Sequence, residues 1–299
     1  MGLFTKRSAA QDVFADDVYR SKESPSALLK RIRLSTSNKL DSLFAGAYRS
    51  AFKGSGLSFD SVREYQYGDD VRAVDWNVSA RMNHLYIKEY IEERDISILL
   101  MLDVSASTAF GGLRSKRDVM LEITDLILQL ARLNRDRVSA LLFSDKIEKI
   151  IKPENGSRFA MRVLDEIIKH KPASTKTDIG AAVDFASRIL KKRSVVFCIS
   201  DFLDEKQDYA NKLKILARRH EVISVQIFDP YERKTPFLGL TNFLDLETGD
   251  SFLADVIPEI TSFPEPPAGS SVKLSTLDKI DSVFLEFLER RAGITARSR

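Results

Sequence analysis

From Asp95 onward, short apolar runs alternate with amphipathic helical segments, and that alternation leaves the chain few folds. The runs are Ile96–Leu102, Asp136–Phe143, 194–200 and 221–228. Each has the length and composition of a buried strand. Between them lie segments with helical spacing at about 115–133, 156–169, 179–191 and 206–219. The first carries Val119, Met120, Ile123, Leu126, Ile127 and Leu130 on one face. Lys146–Ile151 reads as a hairpin partner of the second strand across Ser144-Asp145. The pattern predicts an α/β fold: a doubly wound, mostly parallel sheet with helices on both faces and one antiparallel strand at an edge. In such sheets ligands bind outside the carboxyl ends of the strands.

The first apolar run feeds directly into Asp103-Val-Ser105-Ala-Ser107, so a carboxylate and two hydroxyls stand where a strand opens into a loop. Positions 103, 105 and 107 alternate, and an extended loop would converge their oxygens on one point. Two more loops carry matching groups. Thr175-Lys-Thr177-Asp178-Ile-Gly180 precedes a helix, and strand 194–200 runs into Ser200-Asp201-Phe202. Asp103, Ser105, Ser107, Thr177 and Asp201 are hard oxygen donors, suited to Mg²⁺ rather than zinc. The plainer reading of D-x-S-x-S by itself is a capped turn, since Asp and Ser are ordinary turn and cap residues.

The remaining chain divides by composition. Residues 1–23 are polar and read as a flexible N-terminus. Residues 24–94 form an accessory segment, 95–257 the α/β domain, 258–274 a Pro-rich linker, and 275–299 a C-terminal helix and tail. Ser24-Pro25 starts a helix with Leu28, Leu29 and Ile32, and a second periodic stretch carries Leu40, Leu43, Phe44, Ala47, Tyr48 and Ala51. Leu85–Ile91 alternates like a strand, and residues 240–255 suggest a hairpin around Thr248-Gly249. Between Phe59 and Arg81, arginines, aspartates and the only tryptophan crowd together, in a stretch best read from its residues as a salt-bridged loop over one edge of the core.

Composition excludes several function classes. Hydrophobic residues make up 43% and charged residues 30%, so disorder is excluded. The net charge of +3, from 46 basic and 43 acidic residues, is too balanced for nucleic acid as the main partner. Cys198, the single cysteine, lies inside an apolar strand and reads as a buried structural thiol. The histidines at 84, 170 and 220 have no ligand spacing. No apolar run approaches 18 residues, the N-terminus lacks a signal-peptide core, and Lys6 breaks the myristoylation pattern of Gly2, so a cytoplasmic protein without a membrane span is expected.

The loop motifs resemble the metal-ion-dependent adhesion site of von Willebrand factor A-type domains over about residues 95–230. Asp103-x-Ser-x-Ser, Thr177 and Asp201 match its three parts, with Thr175 a competing candidate whose spacing fits less well than Thr177-Asp-Ile-Gly180 and with Thr108 standing where Met often follows the second Ser. Arg63, Tyr65, Gly68-Asp69-Asp70, Arg72, Asp75-Trp76, Ser79-Ala80-Arg81, Glu93-Arg94 and Ser200-Asp201-Phe202 are similar to the hallmarks of a bacterial family catalogued as domain of unknown function 58, over about residues 25–290. The resemblance implies that Asp103, Ser105 and Ser107 hold a metal ion, Thr177 supplies an oxygen and Asp201 acts through water. The ion is Mg²⁺, with Mn²⁺ and Ca²⁺ as alternatives. One position stays open for the carboxylate of an acidic-residue-bearing protein ligand. The resemblance further implies a non-enzymatic adaptor for a MoxR-type AAA+ ATPase, in complex assembly or maturation. Arg63, Tyr65, Asp69, Asp70, Arg72, Asp75, Trp76 and Arg81 are then a partner-binding or structural motif. The alternative is a metal-dependent hydrolase or phosphatase. Against it, no G-x-S-x-G elbow and no phosphate loop occur, and an aspartyl nucleophile would have a second Asp where Ser105 stands.

Overall fold

A computed structural model describes residues 42–52, 56–93, 96–111, 114–171, 176–204, 208–233, 239–244, 251–256 and 270–293. They fall into two compact units, Phe52–Ile96 and the remainder of the chain.

The larger unit is built on a six-stranded sheet of β3 (Ser97–Asp103), β4 (Arg137–Phe143), β5 (Ile147–Glu154), β6 (Val195–Ser200), β7 (Glu221–Phe228) and β10 (Ser270–Ser275), in the order β10-β7-β6-β3-β4-β5. Every pairing is parallel except β4 with β5, which forms the antiparallel edge. This is the doubly wound, mostly parallel sheet expected from the sequence. β3 lies inside it and is covered on both faces, so Ile98 to Leu102 are all 0–1% exposed and the run is continuously apolar rather than alternating.

Helices cover both faces. Leu99, Met101, Leu141, Phe143, Val196 and Cys198 pack with Ile179, Ala182 and Val183 of α5 (Ile179–Ile189) and Leu213 and Leu216 of α6 (Tyr209–Ala217). On the opposite face Phe197 meets Phe284 of α8 (Ile280–Ala292), ring centroids 6.4 Å apart. α3 (Lys116–Asn134) opens with a reciprocal cap, in which the Ser115 hydroxyl accepts from the Asp118 amide and the Asp118 carboxylate accepts from the Ser115 amide. Gly111, just before it, has φ +147°, and a Cβ there would meet the Arg114 carbonyl at 2.5 Å, so only glycine fits this bend. α4 (Ser157–Lys169) follows β5, and α7 (Pro230–Arg233) follows β7. β8 (Gly239–Leu244) and β9 (Ser251–Val256) form the expected hairpin; its turn, at Thr248-Gly249, lies outside the described residues. Cys198 is fully buried, and burial pushes its thiol well above the usual range.

Two expected boundaries are corrected. The linker assigned to 258–274 ends in β10, which pairs in parallel with β7, and the last helix starts at Ile280 rather than 275. Ser-Ser-Val-Lys-Leu-Ser holds only two apolar residues, too weak a strand signal alone; they are Val272 and Leu274, both buried by the sheet context. The second correction concerns α1 (Ser42–Ala51), a helix as expected, which belongs with the sheet rather than with the accessory segment. Its buried face of Phe44, Ala47, Tyr48 and Ala51 packs on α8 and α3. The Tyr48 hydroxyl donates to Asp136 at 2.9 Å, and burial, with the Asp136 charge behind it, raises the pKa of the phenol. The helix expected near 24–32 lies outside the described residues.

The smaller unit pairs β1 (Gly56–Glu64) antiparallel with β2 (Tyr86–Glu93), with a 3₁₀ turn at Val71–Ala73 and α2 (Trp76–Met82) between them. The stretch read as a salt-bridged loop is therefore half of a hairpin plus a short helix. Its apolar residues are too few and too scattered for a periodic signal, and backbone pairing with β2 supplies the order: Val74 bridges Ile87, and Asp75 donates its amide to the Tyr86 carbonyl at 2.8 Å.

Candidate functional site

The order of the sheet reverses between β3 and β6, since the chain runs outward from β3 through β4 to β5 and then returns to the other side of β3 as β6, β7 and β10. The loops leaving β3 and β6 diverge there, which opens a crevice at the carboxyl edge. Asp103 ends β3, and Ser200 and Asp201 end and follow β6.

Asp103 is completely buried. One carboxylate oxygen accepts from the Ser105 amide at 3.0 Å and the other from the Ser200 hydroxyl at 2.6 Å. Among the described residues no Lys, Arg or His side chain pairs with it. Burial first, and the neighbouring Asp201 charge second, push its carboxyl up to about 6. The loop after it is not extended. A 3₁₀ turn, Ala106–Ala109, bends the chain so that the Ser105 and Ser107 hydroxyls lie 3.1 Å apart. The Thr108 hydroxyl donates to the Ser105 carbonyl at 2.7 Å and holds the turn closed, a structural use for the position where the resemblance expects Met.

Asp201 is also buried, and its partner is one that sequence reasoning missed. Lys116, in the first turn of α3, is 1% exposed and places its ammonium 2.8 Å from Asp201 and 2.6 Å from Glu232 of α7. Burial works against the ammonium, but the two carboxylates outweigh it and hold its pKa above the ordinary lysine value. Burial raises the Glu232 carboxyl despite Lys116. Lys116 sits in Arg114-Ser-Lys-Arg117, where its only clue is the place just after a Ser at the start of the helix. Asp103, Thr108, Lys116, Ser200 and Asp201, with the apolar Met120, Ile199 and Ile227, line a small cavity of about 10 Å³, room for about one water.

Thr177 is half-buried beside this edge but, among the described residues, no hydrogen bond joins it to the other four. Its neighbour Asp178 caps α5 by accepting from the Ala181 amide at 2.7 Å, and donates its own amide to the Ser144 carbonyl at the end of β4. Asp204 accepts from the Ile179 amide at 2.9 Å, which ties the Thr177 loop to the loop after β6. Thr175 lies outside the described residues.

Among the described residues no three His, Cys, Asp or Glu side chains group to hold a metal ion by themselves. An ion here would draw on the Ser105 and Ser107 hydroxyls as well as carboxylate oxygen. The donor chemistry fits a hard cation. Three buried or nearly buried carboxylates, Asp103, Asp201 and Glu232, stand at this edge, and the one ammonium pairs with only two of them, Asp201 and Glu232, so the edge is short of positive charge.

In the smaller unit, most of the Arg/Asp/Trp motif has local structural work. Arg63 forks onto Asp69 with two bonds of 2.8 Å and reaches Glu89 at 2.8 Å. Gly68, with φ +106°, makes the intervening turn. Asp70 caps the 3₁₀ turn through the Arg72 amide, and Asp75 caps α2 through the amides of Asn77 and Val78. Tyr65 prolongs the ladder by donating its amide to the Leu85 carbonyl. The side chains of Arg72, Trp76 and Arg81 are exposed.

A family model described as "Protein of unknown function DUF58" matches residues 61–260. The uncharacterized protein Rv1480 of Mycobacterium tuberculosis is 30% identical over 226 residues, 75% of this chain and 71% of its own length. Among solved structures, the conserved hypothetical protein BatB from Bacteroides thetaiotaomicron is 14% identical with a TM-score of 0.46, over 66% of this chain and 99% of that one. A von Willebrand factor type A protein from Catenulispora acidiphila is 9% identical with a TM-score of 0.37, over 69% of this chain and 43% of that one.

Proposed function

The chain belongs to the DUF58 family of proteins of unknown function, and from that premise we propose that it is a non-enzymatic, metal-dependent protein-binding module. Asp103, Ser105 and Ser107 hold Mg²⁺, and Asp201 and Thr177 stand around it. The ion supplies an open coordination position for a carboxylate of a partner protein, because Mg²⁺ keeps exchangeable waters when few protein ligands hold it. The observation that carries this reading is Asp103, a fully buried carboxylate at the switch point of the sheet with hydroxyl and amide donors but no cationic partner among the described residues. A buried carboxylate in that state is stabilised by a bound cation. The chain's own groups prepare the position. Ser200 and the Ser105 amide orient the carboxylate, and the 3₁₀ turn sets the two hydroxyls side by side.

The sequence resemblance points to a MoxR-type AAA+ ATPase as the partner. Among the described residues no helix is long and apolar enough to cross a membrane. The test is capture of that ATPase by the full chain, in Mg²⁺ and in chelator, with Asp103→Asn and Ser105→Ala as variants. Capture is expected in Mg²⁺ alone and is expected to fail for both variants. Capture that ignores both the metal and the variants rejects the metal-dependent reading. Turnover of a generic phosphatase or esterase substrate that vanishes in Asp103→Asn would make the protein an enzyme instead.

A further inference from the structure

Lys116 is an expensive residue in an unfavourable place. Its ammonium is buried, which is strongly unfavourable unless carboxylates compensate it. It also stands in the first turn of α3, where the helix dipole disfavours positive charge. Two carboxylates from separate elements compensate it. Asp201 belongs to the loop after β6 and to the candidate metal edge, and Glu232 belongs to α7. Glu232 is itself anchored, since its second oxygen accepts from the Asp229 amide at 3.1 Å, and Asp229 in turn accepts from the Thr276 hydroxyl at 2.7 Å. The ring of Phe110, 5.8 Å away at its centroid, forms another wall of the ammonium's surroundings.

We propose that Lys116 is a tethered counter-cation: a divalent ion at the Asp103 edge takes Asp201 from it, and Glu232 keeps the displaced ammonium. This rests on the metal-binding reading and adds to it what sets the affinity. An ion entering the edge competes for Asp201 with a positive charge already in contact with it, so its hold is the difference of two attractions. The competition is reversible because the ammonium has two partners. A flexible four-carbon stem with three donors moves its weight from Asp201 to Glu232 without shifting α3. The residue thereby keeps the edge stable when no ion is bound and weakens the ion when one is.

The experiment is calorimetric titration of Mg²⁺ into the full chain, as wild type, Lys116→Met and Glu232→Gln, together with melting in Mg²⁺ and in chelator. Lys116→Met removes the competing charge and is expected to bind Mg²⁺ about tenfold more tightly. Glu232→Gln leaves the ammonium Asp201 alone, so Mg²⁺ binding is expected to weaken several-fold. Opposite signs are the signature, since a merely structural triad would lose affinity in both variants. Lys116→Met that binds as wild type does, or more weakly, overturns the proposal. If Lys116→Met folds only in Mg²⁺, its melting temperature rises more steeply with Mg²⁺ than that of wild type, which supports it. If it folds in neither condition, Lys116→Gln takes its place: tighter binding than wild type supports the proposal, and unchanged or weaker binding overturns it. The underlying reading is tested separately by wild type. Wild type that takes up no Mg²⁺ while Lys116→Met does removes the metal-dependent function and leaves Lys116 as the resident cation; no uptake by either overturns both.

Discussion

At the carboxyl edge of the sheet, aspartates and a lysine meet in the interior from positions far apart in the chain: Asp103 and Ser200 are 97 residues apart, Lys116 and Asp201 85, and Lys116 and Glu232 116. In the Phe52–Ile96 unit, aspartates and arginines meet near the surface over spans of two to six residues, as in Asp69 with Arg63, Asp70 with the Arg72 amide, and Asp75 with the Asn77 amide. The residue types are the same and the consequences differ. Charges paired locally and in contact with water are screened, and they shape turns and caps. Charges gathered across a fold and withdrawn from water are poised for a ligand or strongly destabilising when left alone. A dense run of charged residues thus marks local architecture, whereas the convergent set is spread thinly along the sequence.

Substitutions can break or sharpen this contrast. The largest effect is expected at the interior edge. Lys116→Ala in chelator leaves Asp201 and Glu232 without a cation and is expected to cost about 3–5 kcal/mol in urea unfolding. A loss no larger than that of a surface substitution would erase the distinction between the two regions. An intermediate effect is expected from Asp75→Ala, which removes the α2 cap and costs about 1 kcal/mol. It should speed hydrogen exchange at Asn77 and Val78 while leaving the β3 amides unchanged. The smallest effect belongs to Asp69. Its carboxyl is held down to about 2, by the Arg63 guanidinium first and the Gln66 amide second. Because the folded value lies below the unfolded value of about 3.9, its contribution is whole above that value and is lost as the pH falls through about 2. In an NMR titration of the Gln66 amide, Arg63→Ala should return the midpoint toward the ordinary carboxylate value; an unmoved midpoint would make the fork onto Asp69 incidental.

How much of this was legible depended on whether the signal was local. The strands β3 and β6 announced themselves because both faces are covered and their apolar runs are unbroken, and β4 and β7 did so although Ser139, Ser224 and Gln226 interrupt theirs. Asp103, Ser105, Ser107 and Asp201 stood out by spacing and by their place after such strands. Lys116 did not, because nothing in Arg114–Arg117 marks its cations as interior, and its partners lie 85 and 116 residues away. β10 was hidden for the same reason, its strand character residing in β7 rather than in Ser270–Ser275. The motif from Arg63 to Arg81 was conspicuous in the sequence, but its strand and helix were not, because caps and cross-strand backbone bonds leave no periodic trace.

β10 also bears on the order in which the molecule can be made. β7 is completed at Phe228, yet its outer edge has no neighbour until Ser270–Ser275 arrives, and Arg291 of α8 then donates to the Ala51 carbonyl at 3.2 Å, 240 residues back. During synthesis the buried faces of α1 and β7 wait on the last segment of the sheet unit to leave the ribosome. The nascent chain therefore carries an open strand edge, a template for pairing with other chains, through the translation of at least 40 residues. Closure of the sheet unit by its earliest and latest described elements makes a cooperative native state at the expense of a vulnerable interval before it.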